Sequence, residues 1–241
     1  MTKVAVVLAL LLGSSEARAV CPPIAGADPA ALASHDDTER LAWIQARLAR
    51  TSHRATVWLR GWEIGLVGAT AVNLALIPVL GNTPSNRIDF GLGAATTIVG
   101  VVPLLFWQPR VIDDDRDLTD AVGKPGMDRC AVLDDAEHRM VASAASQRQQ
   151  RAWYMHAGNV ALNAGVTLLF GAFHHWSSGI LSGVGGVLVG EIIIYTEPND
   201  QIDDLARYRR GELVAPAQHT WWLQPLAEPH ATGLTLAISF E

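Results

Sequence analysis

Hydrophobic and polar positions form long, separate blocks along this chain. Four stretches carry almost no charged side chain, and charge is concentrated between them. These stretches are residues 64–81, 90–107, 157–173 and 177–196. Each is close to the ~20 apolar residues that an α-helix needs to cross the hydrocarbon core of a bilayer. The pattern therefore predicts four transmembrane helices.

The hydrophobic region repeats itself at an offset of ninety positions, so that residues 68–114 align without a gap with residues 158–204. The identical pairs are Gly68/Gly158, Ala71/Ala161, Asn73/Asn163, Gly81/Gly171, Gly93/Gly183, Val99/Val189, Gly100/Gly190, Ile112/Ile202, Asp113/Asp203 and Asp114/Asp204. Each copy contains two hydrophobic runs joined by a short turn and ends in Ile-Asp-Asp. Such self-similarity is typical of a duplicated structural unit. We therefore predict two tandem helical hairpins.

A polar segment with helical periodicity precedes each predicted hairpin. Apolar residues from Leu41 to Trp62 recur every three or four positions, which places them on one helix face, with the arginines mostly off that face. Acidic residues at 36–39 and at 134–137 are favoured in the first turn of a helix. The sequence thus predicts two extended helical stalks, of which the second is less amphipathic.

The two ends of the chain differ from its middle. Lys3, the short apolar run 4–12 and the Ala-Arg-Ala sequence at 17–19 are typical of a cleaved secretory signal, with a retained short anchor as the alternative. Near the other end, apolar residues alternate over 234–240. This alternation predicts a small β hairpin in the tail.

Together these elements predict an all-α membrane protein with four transmembrane helices in two tandem hairpins, extended helical stalks and a small C-terminal β hairpin. The predicted segments are a signal peptide (1–19), a leader loop (20–35), the first stalk and hairpin (36–114), a loop with the second stalk and hairpin (115–204) and a soluble tail (205–241).

Cysteine content and charge bear on the side of the membrane that the polar segments occupy. Cys21 and Cys130 are the only two cysteines; in exported segments they are expected to form a disulfide, with two free thiols as the alternative in a reducing compartment. Fifteen Lys and Arg residues after Val20 lie on the side of the long polar segments, whereas Arg87 alone lies on the side of the short turns. The positive-inside rule opposes export of the long segments, but a signal peptide favours it. We expect a multi-pass protein of the cell membrane with its longer polar segments outside the cytoplasm.

Charge balance and motifs narrow the function. The formal net charge is -6 and no basic stripe is available to contact phosphates, so nucleic acid is not expected as a partner. No motif pairs a nucleophile with a base or spaces residues as metal or phosphate ligands, so we expect neither an enzyme nor a bound metal or cofactor. The acidic run 113–117 lacks the EF-hand spacing and is interpreted as a solvated segment rather than a Ca²⁺ site.

Glycines and isolated polar residues within the spans are the candidate contact and binding positions. The glycines at helical spacing are Gly179, Gly183, Gly186 and Gly190 in the fourth span and Gly93 and Gly100 in the second. Small residues let helix backbones approach closely in lipid, so the second and fourth helices are expected at the centre of a four-helix bundle. Glu191 is interpreted either as an ion, proton or ligand site or as an interfacial carboxylate. Asn73 and Asn163 are expected either to hydrogen-bond neighbouring helices or to line a pathway.

The sequence favours a structural or interaction function. We expect a scaffold protein of the bacterial cell envelope, held in the lipid bilayer, whose stalks or tail bind a protein partner. The alternative is a small transporter or channel that uses Glu191, Asn73 and Asn163 within the membrane.

Overall fold

The computed structural model describes residues 21–106, 108–213, 219–228 and 231–240. Between residues 21 and 213 the described structure is all-α. The predicted signal peptide lies outside the described residues and stays a prediction.

The helices are, in chain order, α1 (Pro29–Leu32), α2 (Asp37–Leu80), α3 (Pro84–Phe106), α4 (Arg110–Val122), α5 (Arg129–Gln150), α6 (Trp153–Phe173), α7 (Trp176–Thr196) and α8 (Asp200–Arg209). Near the C-terminus, β1 (His219–Glu228) and β2 (Ala231–Phe240) are antiparallel strands that pair with each other. The residues between the two strands are not among those described, so the β hairpin of the tail stays a prediction.

Helix α2 is a single element of 44 residues that contains both the first predicted stalk and the first hydrophobic run. The side chain of Asp36 caps its start by accepting a hydrogen bond from the backbone N–H of Glu39 at 2.7 Å. Gly81 follows its last residue, directly after the hydrophobic run. At a helical rise of about 1.5 Å per residue, α2 is about 66 Å long. The polar and apolar parts of the first half are therefore one continuous helix.

The first part of α2 packs with α4, α5 and α8 into a single bundle, here called the polar bundle (residues 21–63, 110–150 and 197–213). Apolar side chains from all four helices form its core. The most buried of them include Ile44, Leu48, Leu118, Leu133, Met140 and Leu205. The segments predicted as extended stalks are thus two helices of a packed bundle. The helices that follow each hairpin, α4 and α8, return to complete it.

Two arginines that were expected mostly off the packing face lie inside the polar bundle. Arg40 is fully buried and Arg47 is nearly so. They pair with Glu137 of α5 and Asp204 of α8, respectively. A charge can be buried only when a partner offsets its lost hydration. Because both partners come from helices far along the chain, the local periodicity of α2 could not reveal this burial.

Two helical hairpins, α2–α3 and α6–α7, extend from the polar bundle. Among the described residues, three helical stretches are long and apolar enough to cross a membrane: Asp37–Leu80, Pro84–Val122 and Trp176–Arg209. This finding fits a membrane protein. Helix α6 is not among the three, since it carries a histidine and two asparagines that lower its hydropathy. The fourth span and the sidedness stay predictions.

The glycine stripe of α7 faces α6 of the same hairpin. Its members are Gly179, Gly183, Gly186 and Gly190. A Cβ added at Gly186 would meet the side chain of Asn163, and one added at Gly190 would meet that of Asn159. The small residues therefore make room for polar side chains of α6.

The glycines of α3 behave in the same way. Gly93 faces Asn73 of α2, and Gly100 faces Leu66 of α2. Each stripe thus approaches its own hairpin partner. The helices expected at the centre of the bundle, α3 and α7, also touch each other. The links within the hairpins are short, so each helix packs first against its neighbour in the chain.

Candidate functional site

Helices α6 and α7 bring an ionisable pair together near the polar-bundle end of the second hairpin. Glu191 lies in the last two turns of α7. Its Oε2 atom lies 2.6 Å from Nδ1 of His156, and its Oε1 atom accepts a hydrogen bond from Nδ2 of Asn159 at 3.0 Å. An ionisable side chain in a membrane segment needs such partners. Glu191 is therefore held by two residues that the sequence analysis did not single out.

A positional signal could have found His156 and Asn159. In a hairpin, residues early in the first helix lie opposite residues late in the second, so the start of α6 meets the end of α7. His156 and Asn159 are three positions apart and share one helix face. Polar residues on one face at the start of α6 were therefore candidates to meet Glu191.

The same face of α6 continues as a polar ladder, which we define as His156, Asn159, Asn163 and Thr167. Asn159 reaches α7, where its Nδ2 atom also donates to the backbone oxygen of Val187 at 3.0 Å. Asn163 donates from Nδ2 to both the backbone oxygen and Oδ1 of Asn159 at 2.9 Å. Thr167 donates to the backbone oxygen of Asn163 at 3.0 Å. The polar ladder thus satisfies much of its hydrogen bonding along the contact with α7.

Asn73 and Asn163 form no hydrogen bond to a neighbouring helix among the described residues. Asn73 donates from Nδ2 to a backbone oxygen of its own helix at 2.9 Å, and Asn163 bonds Asn159. Bonding between helices comes instead from Asn159 and from Thr70 and Thr97, whose Oγ1 atoms lie 2.6 Å apart. The hydrogen bonds that Asn73 and Asn163 donate therefore stay within their own helices.

A cleft of about 570 Å³ lies between the two hairpins, here called the hairpin cleft. Asn73 and Thr97 line it on the side of the first hairpin, and Asn159, Asn163 and Ser182 line it on the side of the second. Most of the other described lining residues are apolar or glycine, and none of them is Asp, Glu, Lys, Arg or His. The structure therefore places Asn73 and Asn163 on a shared, uncharged cleft.

At the turn end of the hairpins, three residues have the composition of a catalytic triad but not its geometry. Nε2 of His174 lies 3.1 Å from Oδ1 of Asp89 and 3.4 Å from Oγ of Ser85. A Ser-His-Asp triad requires the hydroxyl and the carboxylate on different ring nitrogens. These contacts instead connect the end of the second hairpin with the start of α3.

A cluster of buried polar groups ties three helices of the polar bundle together. Arg40 of α2 donates from Nη2 to Oε1 of Glu137 in α5 at 2.5 Å and from Nε to the hydroxyl of Tyr208 in α8 at 3.0 Å. The hydroxyl of Tyr208 donates in turn to Oε1 of Glu137. Burial, together with the neighbouring carboxylate, raises the pKa of Tyr208. The phenol therefore keeps the proton that it donates.

The leader segment is fastened to this cluster. Cys21 and Cys130 lie at disulfide distance, with their Cα atoms 5.3 Å apart. The backbone oxygen of Cys21 accepts a hydrogen bond from Nη1 of Arg40 at 2.9 Å, and Asp37 accepts one from the backbone N–H of Cys21 at 3.2 Å. Asp37 and the two sulfur atoms are near enough to one another for a three-ligand metal set. Because a disulfide offers no thiolate, we interpret the group as structural.

Asp114 and Asp204, which the repeat aligns with each other, are both buried in the polar bundle. Asp114 of α4 accepts a hydrogen bond from Oγ of Ser143 in α5 at 2.7 Å. Asp204 of α8 lies 3.2 Å from Nη1 of Arg47 in α2. Burial raises the pKa of both carboxyls, and nearby arginines oppose that effect. The run 113–117 is therefore not simply a solvated segment, since Asp114 attaches α4 to α5.

Comparison of the chain with protein-family models, with curated proteins and with solved structures found no match. The candidate functional features are therefore the polar ladder with Glu191, the hairpin cleft and the polar bundle.

Proposed function

We propose that the protein is a four-span membrane scaffold that holds the polar bundle at the outer surface of the bilayer in a bacterial cell envelope. The observation that carries this proposal is the connection of both hairpins to the same bundle. Helix α6 follows α5 after two residues, and α7 leads to α8 through the short link 197–199. If α7 crosses the bilayer, α6 has to cross it in the opposite direction, because α5 and α8 both lie in the polar bundle.

Exposed side chains of the second hairpin support a span for α6. Leu168 and Leu169 are 61% and 54% exposed in the isolated chain, which suits contact with lipid. Trp153 is exposed at the polar-bundle end and Trp176 at the turn end. Tryptophan concentrates at the two interfaces of a membrane with water. The 21 residues of α6 give a length of about 30 Å, which is the thickness of the hydrocarbon core.

The construction of the polar bundle supports a scaffold. Helix α2 passes from the polar bundle into the first hairpin without interruption, which fixes the bundle relative to the membrane. The Arg40, Glu137 and Tyr208 cluster and the Cys21–Cys130 pair hold α2, α5, α8 and the leader together. A rigid body on a membrane anchor suits binding of a protein partner, through the polar bundle or through the tail that follows it.

A partner-recovery experiment tests the scaffold. Full-length protein is crosslinked in intact cells and purified, beside a variant truncated after Leu213 and an Arg116→Glu variant, which changes an exposed charge on α4. If the protein is a scaffold, at least one of the two variants is expected to lose a specific crosslinked partner while it still inserts normally into the membrane. Full recovery of that partner in both variants would contradict binding through the tail or through this face of α4.

Sidedness is tested with a single thiol. The Cys21→Ser variant leaves Cys130 as the only cysteine, and this residue lies at the start of α5 in the polar bundle. In intact cells a membrane-impermeant maleimide is expected to label it. Labelling by a permeant maleimide alone would place the polar bundle in the cytoplasm.

Transport is the second candidate function, and one observation favours it. Asn159 contacts Glu191 and also lines the hairpin cleft, so that an ionisable pair is linked to a cavity. A transporter predicts substrate uptake into proteoliposomes that Glu191→Gln removes. A scaffold predicts that the same variant leaves vesicle permeability and partner recovery unchanged.

A further inference from the structure

We propose that the hairpin cleft is a binding site for a neutral lipid, whose hydrocarbon chain packs on the apolar walls and whose hydroxyl or ester group hydrogen-bonds Asn73 and Asn163. The inference rests on the four-span arrangement proposed above. It goes beyond that arrangement by assigning the cleft a ligand and a class of ligand.

The size and lining of the cleft indicate a hydrocarbon occupant. Each hairpin is closely packed within itself, whereas the space between the hairpins amounts to about 570 Å³. Wall atoms of an unfilled cleft lack the dispersion contacts that a packed neighbour would give them. Water is stable in a cavity only where it finds two to four polar partners, which mainly apolar walls do not supply. In a bilayer the cleft is surrounded by hydrocarbon, so a lipid chain is the molecule that is available to fill it.

The polar groups of the cleft can bind an uncharged head group. A side-chain amide has two N–H donors and an oxygen with two acceptor positions. Asn73 donates one N–H of Nδ2 to its own helix and keeps the other N–H and its oxygen for a ligand. Asn163 donates both N–H groups to Asn159 and keeps its oxygen as an acceptor for a ligand hydroxyl. Ser182 also lines the cleft, and its hydroxyl has no hydrogen bond among the described residues. Hydroxyl, ester and carbonyl groups match this set.

The absence of charge among the described lining residues argues against an ionic head group. An ion in an apolar site without a counter-charge is strongly disfavoured. The nearest ionisable pair of the second hairpin, Glu191 and His156, is already joined at 2.6 Å. A long-chain alcohol or a diacylglycerol therefore fits the cleft better than an anionic or zwitterionic phospholipid.

Photolabelling of full-length protein in nanodiscs tests the proposal. The probe is a diacylglycerol with a diazirine in one acyl chain, and labelled residues are mapped by mass spectrometry. Gly158 and Gly185 line the cleft and have open space where a Cβ would lie, so Gly158→Leu and Gly185→Leu add a bulky side chain to the cleft at positions that accept a Cβ. Gly165 of α6 also has open space but does not line the cleft, which makes Gly165→Leu the matched control.

The proposal predicts labelling at cleft residues of the wild type, and competition by excess diacylglycerol but not by an anionic phospholipid. Labelling is expected to fall about tenfold in the two cleft-filling variants, equivalent to the loss of the main site, and to stay unchanged in Gly165→Leu. Asn73→Ala is expected to weaken competition about fivefold, which corresponds to one neutral hydrogen bond.

Equal labelling in all three glycine variants would overturn the site, because the label would then come from the general lipid-facing surface. Equal competition by both lipids would overturn the preference for a neutral head group. A non-selective carbene probe dissolved in the bilayer separates this inference from the membrane arrangement. Its failure to label Leu168 and Leu169 would count against the span of α6, whatever occupies the cleft.

Discussion

At the scale of single residues, the polar bundle depends on charges that lie in its core. Arg40 reaches Glu137 across 97 positions of sequence and Tyr208 across 168 positions. Such groups contribute little net stability compared with an apolar core, but removal of one partner leaves the other charged and buried. The cluster therefore acts mainly to define which helices pack together and in which register.

Glu137→Gln is expected to lower the free energy of unfolding by about 3 kcal/mol, the low end of the cost of breaking a buried ion pair, because Arg40 would lose its fully buried counter-charge and keep only Asp37, 3.1 Å from Nη1. The measurement is chemical denaturation in detergent, followed by far-UV circular dichroism. Arg54→Ala is the control, since Arg54 and Asp200 form an exposed pair 2.8 Å apart on the same bundle. The control is expected to change stability by less than about 1 kcal/mol. If the two substitutions lowered stability equally, the buried cluster would matter no more for stability than an exposed ion pair, which would contradict the prediction.

Glu197, the first residue beyond α7, is expected to make stability depend on pH. Burial raises its pKa from 4.5 to about 7, and Arg151 opposes this only in part. The native state thus holds the proton more tightly than the unfolded state, so the contribution of Glu197 to the free energy of unfolding is expected to fall as pH rises from 4.5 to about 7. Glu197→Gln lacks this contribution. Thermal unfolding at several pH values is expected to show that the stability of the variant relative to the wild type rises as pH increases from 4.5 to about 7. A constant difference in stability across this range would count against the raised pKa of Glu197.

At the scale of elements, each hairpin combines glycines on one helix with asparagines on the other. Gly186 and Gly190 accommodate Asn163 and Asn159, and Gly93 accommodates Asn73. The close approach lets Asn159 bond a backbone oxygen of α7. Small residues and hydrogen-bonding side chains are the two means by which helices associate in lipid. In this protein the small residues and the hydrogen-bonding side chains face each other at the same helix contacts.

Gly186→Ala is expected to loosen the α6–α7 hairpin, because the added Cβ would meet the side chain of Asn163. Overpacking of this kind costs about 1–3 kcal/mol. Gly165→Ala adds the same methyl group to the same hairpin where space is open, and its better helix propensity makes it neutral or stabilising by up to about 1 kcal/mol. Thermal unfolding in detergent compares the two. A Gly186→Ala protein as stable as the control would show that the two helices are not closely packed.

The elements were easier to predict from the sequence than their contacts. The start of α2 at Asp37 follows from local capping and periodicity, and the pairing of Cys21 with Cys130 follows from the cysteine count. The sequence did not predict which helix the glycine stripe contacts. The spacing of the glycines shows that one helix face carries small residues, but it does not identify the helix packed against that face. His156 was passed over because its role appears only when the start of α6 is placed against Glu191 near the end of α7.

At the scale of the whole molecule, the two halves exchange contacts. Asp114, after the first hairpin, bonds Ser143 of the second stalk helix, whereas Asp204, after the second hairpin, pairs with Arg47 of the first. Asp114 and Asp204, which the repeat aligns with each other, thus each contact a residue of the opposite half of the chain. The core of the polar bundle therefore contains residues of both halves, whereas each half has its own helical hairpin.

This exchange predicts the behaviour of a chain cut between its halves. The exposed loop 123–126 between α4 and α5 can hold an inserted protease site, since it forms no part of the bundle core. After cleavage, the halves are expected to stay together in mild detergent and to migrate as one species on a denaturing gel without reductant, because Cys21 and Cys130 lie on opposite sides of the cut. With reductant, the denatured fragments separate, while the native bundle remains assembled through the packing of α2, α4, α5 and α8. Size-exclusion chromatography checks this last step. Separation of the native halves on reduction would mean that the disulfide alone holds the halves together and that the exchanged contacts contribute little.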